Sequence, residues 1–489
     1  QQLQTDLPIG PFLDDLTLRQ LAERLCELIS TVDPAKADPV FDDSPALRGL
    51  MLAGLPDHLR QLQLEHGDWR SLRWGRQVIH LLSDPAEVQQ LMQRPPSEFI
   101  RGKVFEGIRM VTDGSNLFTT EGPAWHSERQ RAQPLLTRQA VEGMAGDFAA
   151  ISQDCLFELQ GSSQSAALDL ADLCRTITLK MTLHKLFGPI PAVVAQRLAL
   201  AISAATDWRL PLHYLAQYEF SEAKAARTAA GAGGTTASMG GLLLELDALV
   251  YGAIDVLLAS SDPAPCLLAA YLADPEVQAM DPGERRSYLR SAMLSLVLAG
   301  LDSTGSGLFF CLDLVARHPD SQRLVRDEVQ RSFGDVEISP TDLPSQLPYT
   351  LAVVHEALRL YPPVWFLGRE AVITTTVMGQ PVAPGDIVLT SPYVIHRHPV
   401  HWNEPDQFRP ERFLKQPAAG PGSHLFMPFG IGPRTCVGRW LALYEMSLAL
   451  AALVQKHHLI SDGEAMRELS SYFTLKTLKP IKLRVEPLG

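Results

Sequence analysis

From about residue 121 to 330, apolar residues recur at steps of three and four, the spacing of helices that bury one face. The period changes outside that stretch. Residues 1–98 mix short helices with strand-like pieces such as SLRWGRQVIHLL (71–82). Residues 372–392, VITTTVMGQPVAPGDIVLTSP, carry threonine and valine runs punctuated by GQP and APGD, which predicts strands joined by tight turns. The tail LKTLKPIKLRVEP predicts one more strand. The expected fold class is mainly α with a smaller β-rich region. Inside the helical stretch lies TAAGAGGTTASMGG (228–241), too rich in glycine and small residues for a rigid helix. Two readings stand for it: a flexible linker between helices, or a mobile lid over a pocket.

Composition narrows the function classes. A net charge of −12 and a pI near 5.6 argue against a nucleic-acid partner, which needs a basic stripe for phosphates. The six cysteines, Cys26, Cys155, Cys174, Cys266, Cys311 and Cys436, show no CxxC spacing, so neither a zinc ribbon nor a secreted disulfide framework is expected. A reducing interior suits them better. No segment reaches the roughly 18–20 uninterrupted apolar residues of a membrane span; the longest candidate, AMLSLVLAGL, stops at Asp302. The opening QQLQTDLPIGPFL is neither a signal peptide nor an anchor, though it lacks an initiator methionine. A soluble, cytoplasmic protein is the expectation.

The chemistry concentrates in FMPFGIGPRTCVGRW (426–440). Phe429, Gly430, Gly432, Pro433, Arg434, Cys436 and Gly438 force a tight backbone turn around the cysteine, and a long helical pattern follows at once. A cysteine just ahead of a helix N-terminus meets unpaired amides and the positive end of the dipole, which stabilise a thiolate. Arg434, two residues away, adds positive charge. A metal-ligating thiolate is therefore favoured over a buried structural cysteine. Rival motifs fail: Thr435 stands where a dinucleotide loop needs its third glycine, and Arg359 stands where a zinc-protease helix beginning at His355 needs a second histidine. His396 and His398 in IHRHP have no third ligand nearby in sequence and are expected to be surface or capping residues.

FGIGPRTCVG resembles the Phe-x-x-Gly-x-Arg-x-Cys-x-Gly signature of the cytochrome P450 family, the haem-thiolate monooxygenases. Its five fixed positions would arise by chance in a chain of this length on the order of once in ten thousand. Further motifs follow in the family's order, so the resemblance covers essentially the whole chain. It implies the P450 fold as a single domain, 1–489. The β-containing regions would be 1–98 and 360–400, and the helical haem-binding core 121–359 and 436–460. A long central helix would lie over the haem, with the cysteine loop beneath it. Cys436 would be the metal ligand, the axial thiolate of haem b, with Phe429, Gly430 and Gly438 shaping its loop. Glu356 and Arg359 in HEALR, with Arg412 in FRPERF, correspond to the family's buried structural triad.

Trp125 and Arg129 in WHSER, together with Arg369 and Arg434, would meet the haem propionates. LVLAGLDSTGSG resembles the family's oxygen-groove segment, which places Ala299 and Gly300 against the haem and makes Asp302, Ser303 and Thr304 the proton relay. The sequence departs from the family here, because Ser303 stands where threonine is usual and lacks the β-methyl that fixes χ1. Thr304 lies about 100° further round the helix. The substrate rim would be formed by Phe105, Phe118, Leu296, Ala299, Val364, Trp365, Phe366, Phe473 and Thr474, an apolar and partly aromatic pocket. The glycine-rich stretch falls where the family carries a mobile lid. The partners implied are an apolar small molecule, dioxygen and a ferredoxin or flavodoxin-type electron donor, docking against Arg129, Arg131 and Arg439. A peroxygenase or isomerase that needs no reductase, and more distantly a haem sensor, remain as alternatives.

Overall fold

The computed structural model describes residues 41–42, 54–74, 77–102, 112, 116–162, 167–188, 239–258, 266–415, 423–462, 468–470 and 474–488. Its main helices are α1 (Leu55–His66), α2 (Pro85–Gln93), α3 (Gly122–Ala132), α4 (Ala145–Ser162), α5 (Leu170–Phe187), α6 (Met239–Leu258), α7 (Pro282–Arg317), α8 (Pro319–Phe333), α9 (Pro348–Leu360) and α10 (Arg439–Lys456). Their starts follow sequence signals. Pro85, Pro282, Pro319 and Pro348 each open a helix at the position where proline's missing N–H costs nothing. Asp84 and Asp169 cap α2 and α5 by accepting hydrogen bonds from first-turn amides.

The strands form four small sheets. β1 (Phe41–Asp42), β2 (Trp69–Trp74), β3 (Gln77–Leu82), β4 (Phe99–Ile100), β6 (Leu367–Ala371) and β9 (Ile387–Thr390) make a six-stranded sheet in the order β1-β2-β3-β9-β6-β4. The parallel pairing of β3 with β9, Ile79 opposite Ile387, joins the first hundred residues to the 360–400 region. β7 (Thr375–Val377) and β8 (Gln380–Val382) form a hairpin whose turn residues, Met378 and Gly379, both have positive φ, 51° and 73°. That geometry matches the twist of a two-residue hairpin. β5 (Ala167–Asp169), β10 (His457–Ser461) and β13 (Lys482–Pro487) pair in the order β10-β13-β5, and β11 (Leu469–Ser470) pairs with β12 (Lys476–Thr477).

The strands expected at 71–82, 372–392 and in the tail are present. The helical core was expected to run to residue 460, but α10 ends at Lys456. His457–Ser461 is a strand because Leu459 alternates inward, fully buried, and pairs with Val485 of β13. Most of the 228–241 stretch lies outside the described residues; its last three residues begin α6.

The core is organised around α7, 36 residues long. Among the described residues it is the one helix long and apolar enough to cross a membrane, yet two-thirds of its apolar window is buried in the protein. It packs on α5, α9 and α10, with α4 behind α10. Small residues allow the closest approaches. A Cβ at Gly300 would lie 3.0 Å from Thr182 of α5, and one at Gly307 would lie 2.7 Å from the sulfur of Met446 in α10. These contacts fix the height of α7 above the loop that precedes α10.

Candidate active site

The cysteine loop is built from tight turns. Gly430 and Gly432 adopt φ of 72° and 79°. A Cβ at Gly432 would lie 2.8 Å from the Met92 carbonyl oxygen at the end of α2, so glycine is required there on two counts. The Gly430 amide donates to the Met427 carbonyl at 3.0 Å, the Thr435 amide to Gly432 at 3.1 Å, and the Cys436 amide to Phe429 at 2.8 Å. Gly438 is the N-cap of α10, with the Cys436 sulfur 3.9 Å from where a Cβ would stand.

Cys436 is exposed, whereas Cys155, Cys174, Cys266 and Cys311 are buried. Its sulfur is reachable but ringed by protein, and that crowding pushes the thiol above its ordinary range. The Gly438 amide, Arg129, Arg101 and Arg439 pull it back down. The cations acting on the sulfur therefore differ from the expected Arg434, whose Nη2 donates to the Thr120 carbonyl, at 2.8 Å, and to Glu121. A thiol so placed becomes a thiolate most readily when a metal cation shares the charge.

A second group of cations is buried beside this loop. Burial first, and repulsion from Arg434 after it, lower Arg101 to about 9 and Arg369 to about 10. Glu121 offsets them, and Nη1 of Arg434 is buried without an acceptor. Three desolvated guanidiniums with a donor to spare suit a dianionic ligand. An exposed cysteine at a helix start and a nest of arginines able to receive two carboxylates fit a haem with its propionates. Arg369 and Arg434 both belong to this nest. Trp125, 6% exposed, lies under Arg434, 4.2 Å from ring centroid to guanidinium, and beside Arg129 at 5.6 Å. Arg129 itself donates to the Thr435 carbonyl at 2.8 Å and to Gln133 at 3.1 Å, so it braces the cysteine loop.

Arg131 is not on a docking face. It is buried against Glu128 (3.0 Å), Asp274 (3.2 Å), Glu276 and the Tyr288 hydroxyl (3.1 Å), with Tyr288 donating to Glu128 at 2.6 Å. The i, i+3 spacing to Glu128 turns it inward, and the acidic residues around 274–276 neutralise it. The cysteine side instead presents an open cavity of about 520 Å³ lined by Arg129, Arg138, Arg439 and Trp440 among others. Arg138 and Arg439 flank Trp440 at 5.6 Å and 5.3 Å.

On α7, which is helical throughout Pro282–Arg317, the three expected relay residues part ways. Ser303 donates to the Ala299 carbonyl at 2.5 Å, the back-bond open to a helical hydroxyl. Asp302 is clasped from the late turn: one oxygen pairs with Lys476 Nζ at 2.9 Å, and the other accepts from the Thr474 hydroxyl. The same turn is pinned again, since Ser306 donates to the Leu475 carbonyl at 2.6 Å and the Leu475 amide donates to Pro363 at 2.9 Å. Thr304 is 4% exposed and faces Thr182 and Glu445, on the side away from Asp302.

Glu445 of α10 is itself 1% exposed, and neither oxygen has a well-formed hydrogen bond. Burial pushes its carboxyl well above the usual range, outweighing the pull of the Thr182 and Thr304 hydroxyls. The folded protein holds it neutral where the unfolded chain would ionise it, so its contribution to stability is full at low pH and is lost as pH rises above the ordinary carboxylate range. Glu445→Gln, the isostere of the neutral acid, is expected to be more stable than wild type above pH 5, with a gap that widens towards pH 8. Melting temperatures of the two proteins across that range check this, and parallel profiles would contradict it.

The expected triad is assembled as read. Arg359 clamps Glu356 through Nε–Oε2 at 2.7 Å and Nη2–Oε1 at 2.8 Å, and Arg412 Nε adds 3.0 Å to Oε1. Both Glu356 and Arg359 are fully buried, and Arg359 also donates to the carbonyls of His396, Pro405 and Gln407. The surface half of the expectation for His396 and His398 is overturned, while His396 does cap the short helix 392–395. Both are buried, His396 completely, because the 391–402 segment folds under the triad instead of over the surface.

The rim is mixed. Phe105 and Phe473 lie outside the described residues. Phe118, Ala299 and Val364 are partly exposed, and Leu296 is 8% exposed at the edge of the core. Trp365 is fully buried with its carbonyl accepting from Ser391 at 2.6 Å, and Phe366 stacks edge-on to it at 4.8 Å, 4% exposed. These two support β6 from within and offer little to a ligand. Thr474, 1% exposed, serves Asp302 instead. The functional residues missed in the sequence are Arg101, Lys476 and Glu445. Only Glu445 left a signal, as a lone carboxylate inside the apolar run LALYEMSLALAAL.

Comparison with known proteins agrees with this geometry. The family model for cytochrome P450 matches residues 48–196 and 272–485. Cyclooctatin synthase of Streptomyces melanosporofaciens is 27% identical over 403 residues, covering 79% of this chain and 82% of that protein. Cytochrome P450 3A6 of Oryctolagus cuniculus is 36% identical over 192 residues, 39% of this chain and 38% of that protein. The solved structure of the cytochrome P450DA heme domain superposes with a TM-score of 0.72 at 22% identity, covering 91% of this chain and 95% of that one.

Proposed function

The chain belongs to the cytochrome P450 family, whose members bind haem b through an axial cysteine thiolate, and we propose that Cys436 is that ligand here. The protein is a haem-thiolate monooxygenase. The substrate is an apolar small molecule, which the enzyme hydroxylates or epoxidises with electrons from a separate carrier. Residues 1–489 act as one domain, and a cytoplasmic location goes with the reading. The observation that carries the assignment is the pairing of the one exposed cysteine among those described with the buried Arg101–Arg369–Arg434 nest. Similarity along 79% of the chain to a bacterial cyclooctatin synthase supports a role in secondary metabolism.

The bound haem supplies dioxygen binding and O–O cleavage, favoured by electron donation from the thiolate. The chain's residues do the rest. Arg369, Arg434 and Arg101 would hold the propionates, Arg129 steadies the loop through Thr435, and Ala299 keeps the distal helix surface small while Gly300 lets α7 close on Thr182. Proton delivery needs two local changes: the Ser303 hydroxyl must leave the Ala299 carbonyl, and Asp302 must leave the grip of Lys476 and Thr474. Titrating the ferric protein with fatty acids, terpenoids and macrolide-like compounds tests the substrate class. One class should shift the haem band from low spin to high spin, and a response to charged hydrophilic compounds alone would contradict an apolar pocket.

The electron donor is an acidic ferredoxin or flavodoxin-type protein docking on the Arg439–Trp440 face. Arg439→Glu is expected to slow reduction about tenfold at low salt and to flatten its salt dependence. Stopped-flow reduction rates measure this, and an unchanged rate would contradict it. A peroxygenase reading is favoured by one observation, that both Asp302 oxygens are occupied. Product formed with hydrogen peroxide alone, at rates matching those with a donor, would select it.

A further inference from the structure

His396 is a buried group that neither the triad nor the haem site, as described above, uses. The ring is fully buried beside Phe426, at 5.3 Å, and Trp402, at 6.4 Å between centroids. Both ring nitrogens are engaged. Nε2 lies 2.9 Å from the Met427 amide, which can only donate, so Nε2 accepts and carries no proton. Nδ1 lies 3.2 Å from the Arg359 carbonyl, which can only accept, so Nδ1 carries the proton. The two partners fix the neutral tautomer, and burial agrees, lowering the imidazole to about 3. Arg359 returns the contact, donating from Nη1 to the His396 carbonyl at 2.8 Å.

The imidazole therefore hydrogen-bonds to two elements that otherwise meet here through the ring contact of His355 with Phe426, 5.6 Å between centroids. On one side is the C-terminal turn of α9, whose position is set by the Glu356–Arg359–Arg412 triad. On the other is Met427, whose carbonyl accepts from Gly430 at the first turn of the cysteine loop. We infer that His396 is a positioning residue for the cysteine ligand, transmitting the placement of the triad helix through its Nδ1–H and Nε2 to the Met427 amide and so to the loop that presents Cys436. This inference rests on the assignment of Cys436 as the haem ligand.

The two amide isosteres of histidine separate the bridge from general packing. His396→Gln places an amide near the Nε2 position and keeps an acceptor for the Met427 amide. His396→Asn places its amide near Nδ1 and leaves that amide orphaned. In the full-length haem-loaded protein, hydrogen exchange at the Met427 amide should be about tenfold faster in the asparagine variant, the loss of one net hydrogen bond, and near wild type in the glutamine variant. The ferrous carbonyl spectrum should follow the same order, with a larger thiol-type fraction in His396→Asn and a shifted haem potential. Equal exchange and equal spectra in the two variants would overturn the inference. If His396→Asn does not accumulate, His396→Gln carries the test. It must keep both the protected amide and the thiolate-type spectrum, and loss of either overturns the bridge. A wild-type protein that binds haem without a thiolate-type spectrum would instead sink the Cys436 assignment, while Met427 exchange would still report on the bridge.

Discussion

Arg359→Leu is expected to destabilise the protein by about 3–5 kcal/mol, the cost of leaving a buried charge without its partner. Glu356 is fully buried and receives two hydrogen bonds from Arg359. Arg412 and the Arg409 amide would remain, but they meet only Oε1. The carbonyls of Pro405 and Gln407 would also lose a donor. The segment from 391 to 413 would then loosen beside the cysteine loop, so haem retention should fall with stability. Denaturant unfolding of the variant measures the first effect, and haem content after gel filtration the second. A loss below about 1 kcal/mol would place this pair among ordinary surface ion pairs and contradict its structural role.

Asp302→Asn is expected to lower turnover about a hundredfold, within the range general acid catalysis supplies. Substrate binding, read from the spin shift, should hardly change. Asparagine keeps an oxygen for the Thr474 hydroxyl but cannot take up and release a proton. Electrons should then be diverted to peroxide, and the solvent isotope effect on turnover should rise. Lys476→Met gives the complementary result. It frees one Asp302 oxygen without removing the acid, so its turnover should stay well above that of Asp302→Asn. Product, consumed electrons and peroxide measured together decide the point. Equal turnover in Asp302→Asn and wild type would remove Asp302 from the relay.

What the sequence made legible follows from local rules. Strand periods at 71–82 and 372–392, the glycines and proline before α10, and the Glu356–Arg359 spacing are all set by neighbours within a few residues. Residues whose role depends on long-range contact were misjudged or missed. Lys476 meets Asp302 across 174 positions of chain, and Arg101 lies near Arg434 across a gap almost twice as long. Nothing near either residue in sequence announces the pairing. Arg131 was misjudged for the same reason, because Asp274 and Glu276, which neutralise it, come from a distant turn. His396 and His398 were placed at the surface or a cap because no third ligand stood beside them in sequence, whereas a buried histidine needs only two satisfied nitrogens. Trp365 was assigned to the pocket rim by the family resemblance, and in the structure it is fully buried.

The central claim is that Cys436 presents a thiolate to haem iron. Carbonyl difference spectra of the reduced, haem-reconstituted wild type and of Cys436→Ser test it most directly. The account predicts a thiolate-type carbonyl band in the wild type and its complete absence in the variant, with the fold retained by circular dichroism. A thiolate-type band that survives the substitution, or a wild type that never shows one, would contradict it.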